Sequence, residues 1–362
     1  MAEGHKALVP LGKSLKNGLF AFQLHSNDTD PIMPRRTRLL AAALLCATAL
    51  HGHAAPPESY PNKPVTVVVS YPAGGSVDAV ARALHVSLGK QLGQPVLIEN
   101  LGGGAGAIGA AKVVRARADG YTLLLGSVNE VVLAPLFNRA VTYKTDDLVP
   151  VAKVGDSAFV LVGRPGIAPR NIDELIEFAR KNPGALSYAT SGIGTLQHVV
   201  MRDIQERSGT SMLHVPYRGG SSQVADLLGG QIDLTLVAPA TFPDAIESGR
   251  VRGFGTTGRQ REELLKHVPT LNESKYLKGI DVNSWLGVFA PRNTPPEVIQ
   301  RLSAAVDAAL ADDNVAAQLR RIGFMPAAAA ARTGFPEVVA ETQSKMQGIV
   351  SRMPPEKGEA TR

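Results

Sequence analysis

The chain has 362 residues, of which 44% are hydrophobic and 19% charged, a composition typical of a soluble globular protein of about two domains. Half of its formal net charge of +6 lies in residues 1–54, where six Lys and Arg accompany three acids. Basic residues elsewhere are interspersed with acids and form no basic stripe interleaved with aromatic residues, so we do not expect nucleic-acid binding.

The first pattern along the chain is an export signal that starts at Met33. Three arginines follow this methionine, and the apolar run Leu39–Leu50 has the length of a signal-peptide core but is too short to span a membrane. Small residues at the −3 and −1 positions predict cleavage after Ala54, with cleavage after Ala49 as the alternative.

The predicted export signal divides the first 54 residues into two segments. We predict that residues 1–32 are not part of the native protein and that residues 33–54 are a signal peptide. Cys46, the single cysteine of the sequence, lies inside that peptide, so the mature chain is expected to lack disulfides, a cysteine nucleophile and a thiolate metal site. We therefore expect an exported protein that is stabilised by its hydrophobic core.

Strand and helix patterns alternate after the signal. The β-branched run Val65–Val69 predicts a buried strand, and the apolar residues from Val77 to Leu88 recur at helical spacing. Further strands are predicted at residues 95–99, 121–125, 149–154, 159–162, 186–189, 212–215, 233–237, 251–256 and 285–290. Helices are predicted between them, and only helices are predicted after Pro295. The alternation predicts α/β domains with mainly parallel sheets.

Four polar loops stand where a predicted strand ends and a helix begins, at residues 71–78, 126–129, 190–198 and 238–243. Because ligands of open α/β sheets bind at the carboxyl ends of the strands, these loops can converge on one ligand. The first loop places two glycines before a helix start, which offers N–H groups and a positive dipole end to an anion. An ordinary turn between strand and helix explains the same residues.

A rival pattern lies at Gly104–Gly109, which matches the G-x-G-x-x-G fingerprint and is followed by Glu130 about 20 residues later. The surrounding glycine run makes such a match easy, and export removes the protein from nicotinamide cofactors. We interpret the run as a turn that packs a helix close to a sheet, and we expect no cofactor. A dinucleotide-binding enzyme stays the less favoured alternative. The sequence lacks the common hydrolase, phosphate-loop and zinc-protease motifs, so we expect no catalytic residues, no enzyme activity and no metal.

Several stretches, taken in order, resemble the Bug family, the TctC-like extracytoplasmic solute receptors of tripartite tricarboxylate transporters. They are residues 60–65, 73–82, 93–96, 99–100, 119–126, 188–198, 214–219, 228–233 and 284–291. The resemblance covers about residues 60 to 350. It implies two Rossmann-like α/β domains joined by a hinge, like type II periplasmic binding proteins. Domain 1 would comprise residues 55–162 and 280–362, and domain 2 residues 163–279.

The resemblance further implies a small carboxylate ligand, held mainly by backbone and hydroxyl groups of loops from opposite domains. The residues that would hold one carboxylate are Gly74, Gly75, Ser76 and Asp78 in the first loop and Ser191, Gly194 and Thr195 in the third. Tyr71 and Ala73 of the first loop are further predicted ligand-binding residues. The residues that would select the rest of the ligand are Ser127, Asn129, Gln197, His198, Pro239 and Ala240. The implied partners are permease subunits, with a monomeric receptor. A ligand sensor for a signalling kinase is the alternative.

The sequence departs from the family pattern in three places, one of which is Leu101-Gly102, where Arg-Pro is common. Val77 stands where the family usually has threonine, which removes a hydroxyl from the first loop. The fourth loop, Val237–Thr241, lacks the usual polar start. We therefore expect a less polar distal pocket, and we do not expect an amino-acid ligand.

Overall fold

The computed structural model describes residues 60–217, 220–328 and 334–352. The predicted signal peptide and the residues upstream of it lie outside the described residues. The strands are β1 (Val65–Val69), β2 (Val96–Asn100), β3 (Thr122–Ser127), β4 (Leu148–Ser157), β5 (Val160–Gly163), β6 (Ser187–Thr190), β7 (Leu213–Pro216), β8 (Leu234–Val237), β9 (Arg252–Thr256), β10 (Ser284–Pro291) and β11 (Met325–Pro326).

Ten α-helices surround these strands in the described residues. They are α1 (Ser76–Leu92), α2 (Ala107–Val114), α3 (Ala134–Phe137), α4 (Ile172–Lys181), α5 (Leu196–Ser208), α6 (Gly220–Leu228), α7 (Pro243–Glu247), α8 (Pro296–Leu310), α9 (Asp313–Ile322) and α10 (Phe335–Val350). None of the described helices combines the length and the apolar character that crossing a membrane requires.

The strands form two sheets, with the orders β11–β4–β10–β3–β1–β2 and β7–β6–β8–β5–β9. Each sheet contains one strand with parallel neighbours on both sides, β1 between β2 and β3, and β6 between β7 and β8. This repeated arrangement confirms the predicted α/β class with two Rossmann-like halves. We call the first sheet with α1–α3 and α8–α10 the first lobe, and the second sheet with α4–α7 the second lobe.

The prediction of mainly parallel sheets was wrong. In the described residues five strand pairs are antiparallel and four are parallel. The chain enters the second sheet through β5 and returns to the first through β10, and each of these strands runs against both of its neighbours. Alternation of strand and helix patterns does not reveal the direction in which a crossing strand enters a sheet.

The chain crosses between the sheets at residues 158–159 and again between β9 and β10. The strand β5, which the domain prediction assigned to domain 1 as part of 55–162, pairs within the second sheet. Both sheets belong to one contact unit, Glu58–Arg362. The division into two domains stays a prediction.

The C-terminal segment was predicted to contain helices only. The described residues add the short strand β11, whose Met325 and Pro326 pair with Asp156 and Gly155 of β4. Two residues are too few to give a periodic signal, which explains why the sequence did not indicate it. The helices α8 and α9 pack with α1 on one face of the first sheet, in a core that includes Leu302.

The helix α1 shows how the sequence sets element boundaries. Val80, Leu84 and Leu88 form one buried face at helical spacing. The helix ends at Gly93, whose left-handed backbone (φ +74°) lets its N–H donate to the carbonyl of Gly89. The buried face fixes α1 against the sheet, so that its N-terminus stands directly after β1.

Candidate ligand-binding cleft

The first loop, residues 71–78, exposes its turn and buries its acid. Residues 72–76 are exposed to solvent directly before and at the start of α1. Asp78 is only 2% exposed, and its Oδ2 accepts from the Gly74 N–H (2.9 Å) and from Arg82 Nε (2.9 Å). Its Oδ1 accepts from Asn100 Nδ2 at 3.0 Å. Asp78 therefore stabilises the loop from its buried side.

The charge state of Asp78 follows from these contacts. Burial disfavours the carboxylate, but hydrogen bonds from Arg82, Gly74 and Asn100 hold the pKa of Asp78 below its ordinary value. An ionised acid that accepts the Gly74 N–H keeps the turn in one conformation. The predicted first-loop residues Ala73, Gly75 and Ser76 stand on this braced turn.

The second loop is organised by Glu130, a residue that the sequence analysis considered only as part of the dinucleotide fingerprint. Its side chain is fully buried in the first lobe. Oε1 accepts from the Ser127 N–H at 2.8 Å, and Oε2 accepts from Ser127 Oγ (2.7 Å) and from the Tyr71 hydroxyl (3.1 Å). A single acid among Val128, Val131 and Val132 is the sequence signal that could have identified a buried functional group.

Burial raises the pKa of Glu130 to about 7, although the hydrogen bonds from Ser127 and Tyr71 favour the carboxylate and oppose this rise. The glycine run beside it is needed for packing. A Cβ on Gly106, whose φ is +91°, would lie 2.9 Å from Glu130 Cβ, and a Cβ on Gly109 would lie 2.6 Å from Ser70 Oγ. These contacts support the interpretation of Gly104–Gly109 as a close-packing turn.

Asn129 joins the two lobes. Its Nδ2 donates to the Tyr71 hydroxyl at 2.9 Å, and its Oδ1 accepts from the backbone N–H of Leu196 at 2.7 Å. Leu196 is the first residue of α5, so an oxygen atom from the first lobe occupies a donor at a helix N-terminus of the second lobe. The first, second and third loops therefore meet, as the sequence predicted for loops at strand ends.

The third loop satisfies most of its own polar groups. Thr195 caps α5 by accepting from the His198 N–H, and it donates to the Gly192 carbonyl at 2.8 Å. Gln197 accepts from the Ser191 N–H at 2.6 Å and donates to the Leu236 carbonyl of β8. These bonds hold the loop rigidly against the second sheet.

His198, a predicted selectivity residue, belongs to an aromatic stack that crosses between the lobes. Its Nδ1 accepts from the Gly194 N–H at 3.1 Å, and its ring lies parallel to that of His214 with centroids 4.5 Å apart. Phe137 of the first lobe meets His198 edge-on at 6.2 Å. Gln197 and His198 thus support the loop from within, and their predicted contact with a ligand stays a prediction.

Comparison with known proteins decides the family. The sequence model of the family described as tripartite tricarboxylate transporter family receptor matches residues 80–354. The chain belongs to this family. It is 35% identical over 295 residues to the protein BugT of Bordetella pertussis. This alignment covers 80% of this chain and 90% of BugT. The resemblance inferred from the sequence is confirmed.

Solved structures of related proteins give the same result for the fold. MatC from Rhodopseudomonas palustris with bound malate has a TM-score of 0.75 at 28% identity and covers 80% of this chain and 100% of MatC. A second R. palustris protein, with adipate, has a TM-score of 0.75 at 29% identity and covers 81% of this chain and 97% of that chain. The fold of this receptor is therefore that of periplasmic solute-binding relatives.

The fourth loop of the receptor contacts the end of α9. Pro239 is buried, and Ala240 lies so close to Gly323 that a Cβ there would stand 3.1 Å from Ala240 Cβ. The loop starts with a 3₁₀ turn, Pro239–Thr241, and has few polar groups. This contact between lobes was not expected, because Gly323 is far from Ala240 in the sequence.

Proposed function

We propose that this receptor captures a small carboxylate in the periplasm by closing its two lobes, and then presents it to the permease subunits of a tripartite transporter. Binding without chemical conversion is the proposed activity. The observation that carries the proposal is the hydrogen bond from Leu196 to Asn129. The N-terminus of α5 already holds an oxygen atom from the opposite lobe, and a carboxylate oxygen has the chemistry to take that place.

The first loop supplies the complementary side of the proposed site. Its exposed residues 72–76 place glycine backbone and the Ser76 hydroxyl at the N-terminus of α1, where the helix dipole favours an anion. Relatives with malate and with adipate support a dicarboxylate or a similar acid as the ligand class. Closure would follow from the preference of such a ligand for donors on both lobes.

A ligand screen tests the proposal. We expect malate, succinate or adipate to raise the melting temperature of the purified receptor by about 5–10 °C at a hundredfold excess over Kd, because binding adds about 2.7 kcal/mol there. The matched controls are the diamides of the same acids, which keep the length but lack the charge and should give no shift. If no acid shifts the melting temperature and no acid copurifies with the protein, the proposed ligand class is wrong.

Transport is tested separately from binding. Deletion of the gene should abolish uptake of the identified acid by its host, and fractionation should recover the protein from the periplasm. Retained uptake together with loss of a transcriptional response to the acid would instead indicate the sensor function.

A further inference from the structure

A chain of hydrogen bonds leads from the interior of the first lobe to the second lobe. It starts at the carboxyl group of Glu130, continues through the hydroxyl of Tyr71 and the side-chain amide of Asn129, and ends at the N–H of Leu196. Glu130 is fully buried. Tyr71 connects Glu130 to the side chain of Asn129, whereas Ser127, which also donates to Glu130, accepts only from the Asn129 backbone N–H at 3.2 Å.

The direction of each hydrogen bond is fixed from the Leu196 end. A backbone N–H can only donate, so Oδ1 of Asn129 must face it and Nδ2 must face Tyr71. The Tyr71 hydroxyl then accepts from Asn129, and its single proton points to Oε2 of Glu130. Burial and the nearby Glu130 hold the pKa of Tyr71 well above its usual value, so the phenol keeps this proton.

We propose that Glu130 is a positioning residue that sets how strongly Asn129 competes with the ligand for the N-terminus of α5. As a carboxylate, Glu130 can only accept, which fixes the donor and acceptor of each hydrogen bond from Tyr71 to Leu196 and strengthens the bond between the lobes. When Glu130 is protonated, the hydrogen bonds can reverse direction, and the bond between Asn129 and the Leu196 N–H breaks more readily. The inference rests on the proposed function, because it takes α5 as the site that receives the ligand carboxylate.

Protonation acts through the amide of Asn129. A protonated Glu130 donates to a neighbouring hydroxyl, and Tyr71 can then accept from Glu130 and donate to Asn129. To accept the Tyr71 hydroxyl proton, the amide of Asn129 must turn its oxygen towards Tyr71. Its NH₂ group then faces the Leu196 N–H, and two donors cannot form a hydrogen bond. The bond between the lobes is lost in that orientation.

The surroundings of Glu130 place this change near neutral pH. The titratable groups that face it are the phenols of Tyr71 and Tyr143, whose hydroxyl donates to the Glu130 carbonyl at 2.6 Å. The glycine turn before α2 adds no side chain at Gly106. The helices α2 and α10 contribute apolar side chains to the same core, including Ala110 and Val339. Burial raises the pKa of Glu130 to about 7, so its change of charge falls near neutral pH.

The test measures lobe separation in the ligand-free receptor. Spin labels at Val86→Cys in α1 and Leu213→Cys in β7, which are 69% and 61% exposed, report the distance between lobes in a Cys46→Ser background. We expect a narrow, short distance at pH 8 and a broader, longer one at pH 6. The ratio of closed to open molecules should differ about fivefold, since one hydrogen bond is worth about 1 kcal/mol.

Three variants separate the relay from simpler causes. Glu130→Gln should give the pH 6 distribution at both pH values and bind the acid about fivefold more tightly than wild type at pH 8. Tyr71→Phe keeps the charge of Glu130 but cuts the chain, and its lobe distance should also be independent of pH. Glu206→Gln removes an exposed carboxylate from α5 and should behave like wild type.

Two results would overturn the inference: a wild-type distance that does not change with pH, or a Tyr71→Phe variant that retains the change. The second result would show that Glu130 acts by another route, either through its charge or through Ser127. If Glu130→Gln fails to fold, as judged by circular dichroism, Tyr71→Phe still decides. The distance measurement needs no ligand, so a failed carboxylate screen would refute the proposed function and leave this result standing.

Discussion

Gly194 in the third loop tests the proposed closure of the lobes. A Cβ built on it would lie 2.8 Å from Cβ and 3.1 Å from Cγ of Phe137, which belongs to the first lobe. Substitution Gly194→Ala therefore forces the lobes apart. Overpacking of this kind costs about 1–3 kcal/mol. Because one factor of ten in affinity corresponds to about 1.4 kcal/mol, we expect carboxylate binding to weaken roughly 5- to 150-fold.

The assay is calorimetric titration of the variant with the acid that the wild-type receptor binds. The left-handed backbone of Gly194 (φ +76°) also disfavours alanine, but this strain is present in open and closed states alike. Gly209→Ala is the matched control, because Gly209 has a similar φ of +61° at the other end of α5 and an added Cβ meets no atom within 4 Å. The control should lose stability and keep its affinity.

Equal affinities of Gly194→Ala and Gly209→Ala would refute this reasoning, because they would show that the bound state does not bring Gly194 against Phe137. Weaker binding in both variants to the same extent would assign the effect to backbone strain. Spin labels on the two lobes would then show whether the variant closes at all.

Three further predictions concern the first lobe. The pKa of Glu130 rises from about 4.5 in the unfolded chain to about 7 in the folded protein. Its protonation therefore stabilises the fold fully below pH 4.5, and this stabilisation, about 3 kcal/mol in total, is lost as the pH rises through 7. Urea unfolding at pH 5 and pH 8 should show the loss in wild type but not in Glu130→Gln. Asp78→Asn should destabilise the receptor by about 1–3 kcal/mol at pH 7, because the pKa of Asp78 is lowered and its stabilisation is present above the ordinary carboxyl range. The difference between Asp78→Asn and wild type should disappear as pH falls through that range, and a constant difference would contradict the assignment. Val77→Thr should change the affinity less than about threefold, because Val77 packs against the core of the first lobe; a larger gain, measured by titration, would place its hydroxyl on the ligand.

The sequence predicted the features that depend on neighbouring residues. The strand β1, the glycine turn after it and the buried face of α1 all follow from patterns within about 30 residues, and the structure confirms them. The family also followed from the sequence, because short stretches in a fixed order specify it together. The position of the loops at strand ends is a local property as well, since strand, turn and helix follow one another directly.

Only the tertiary structure decided how the cleft is organised. Tyr71 and Glu130 are 59 positions apart and Asn129 and Leu196 are 67 apart, so no local pattern links them. The sequence treated Glu130 as part of a cofactor fingerprint, but burial beside Tyr71 and Ser127 makes it the centre of a hydrogen-bond network. The directions of β5 and β10 were decided in the same way, because strand pairing depends on where the chain crosses between sheets. Local sequence fixes which groups each loop presents, and the packing of the lobes fixes which of those groups meet.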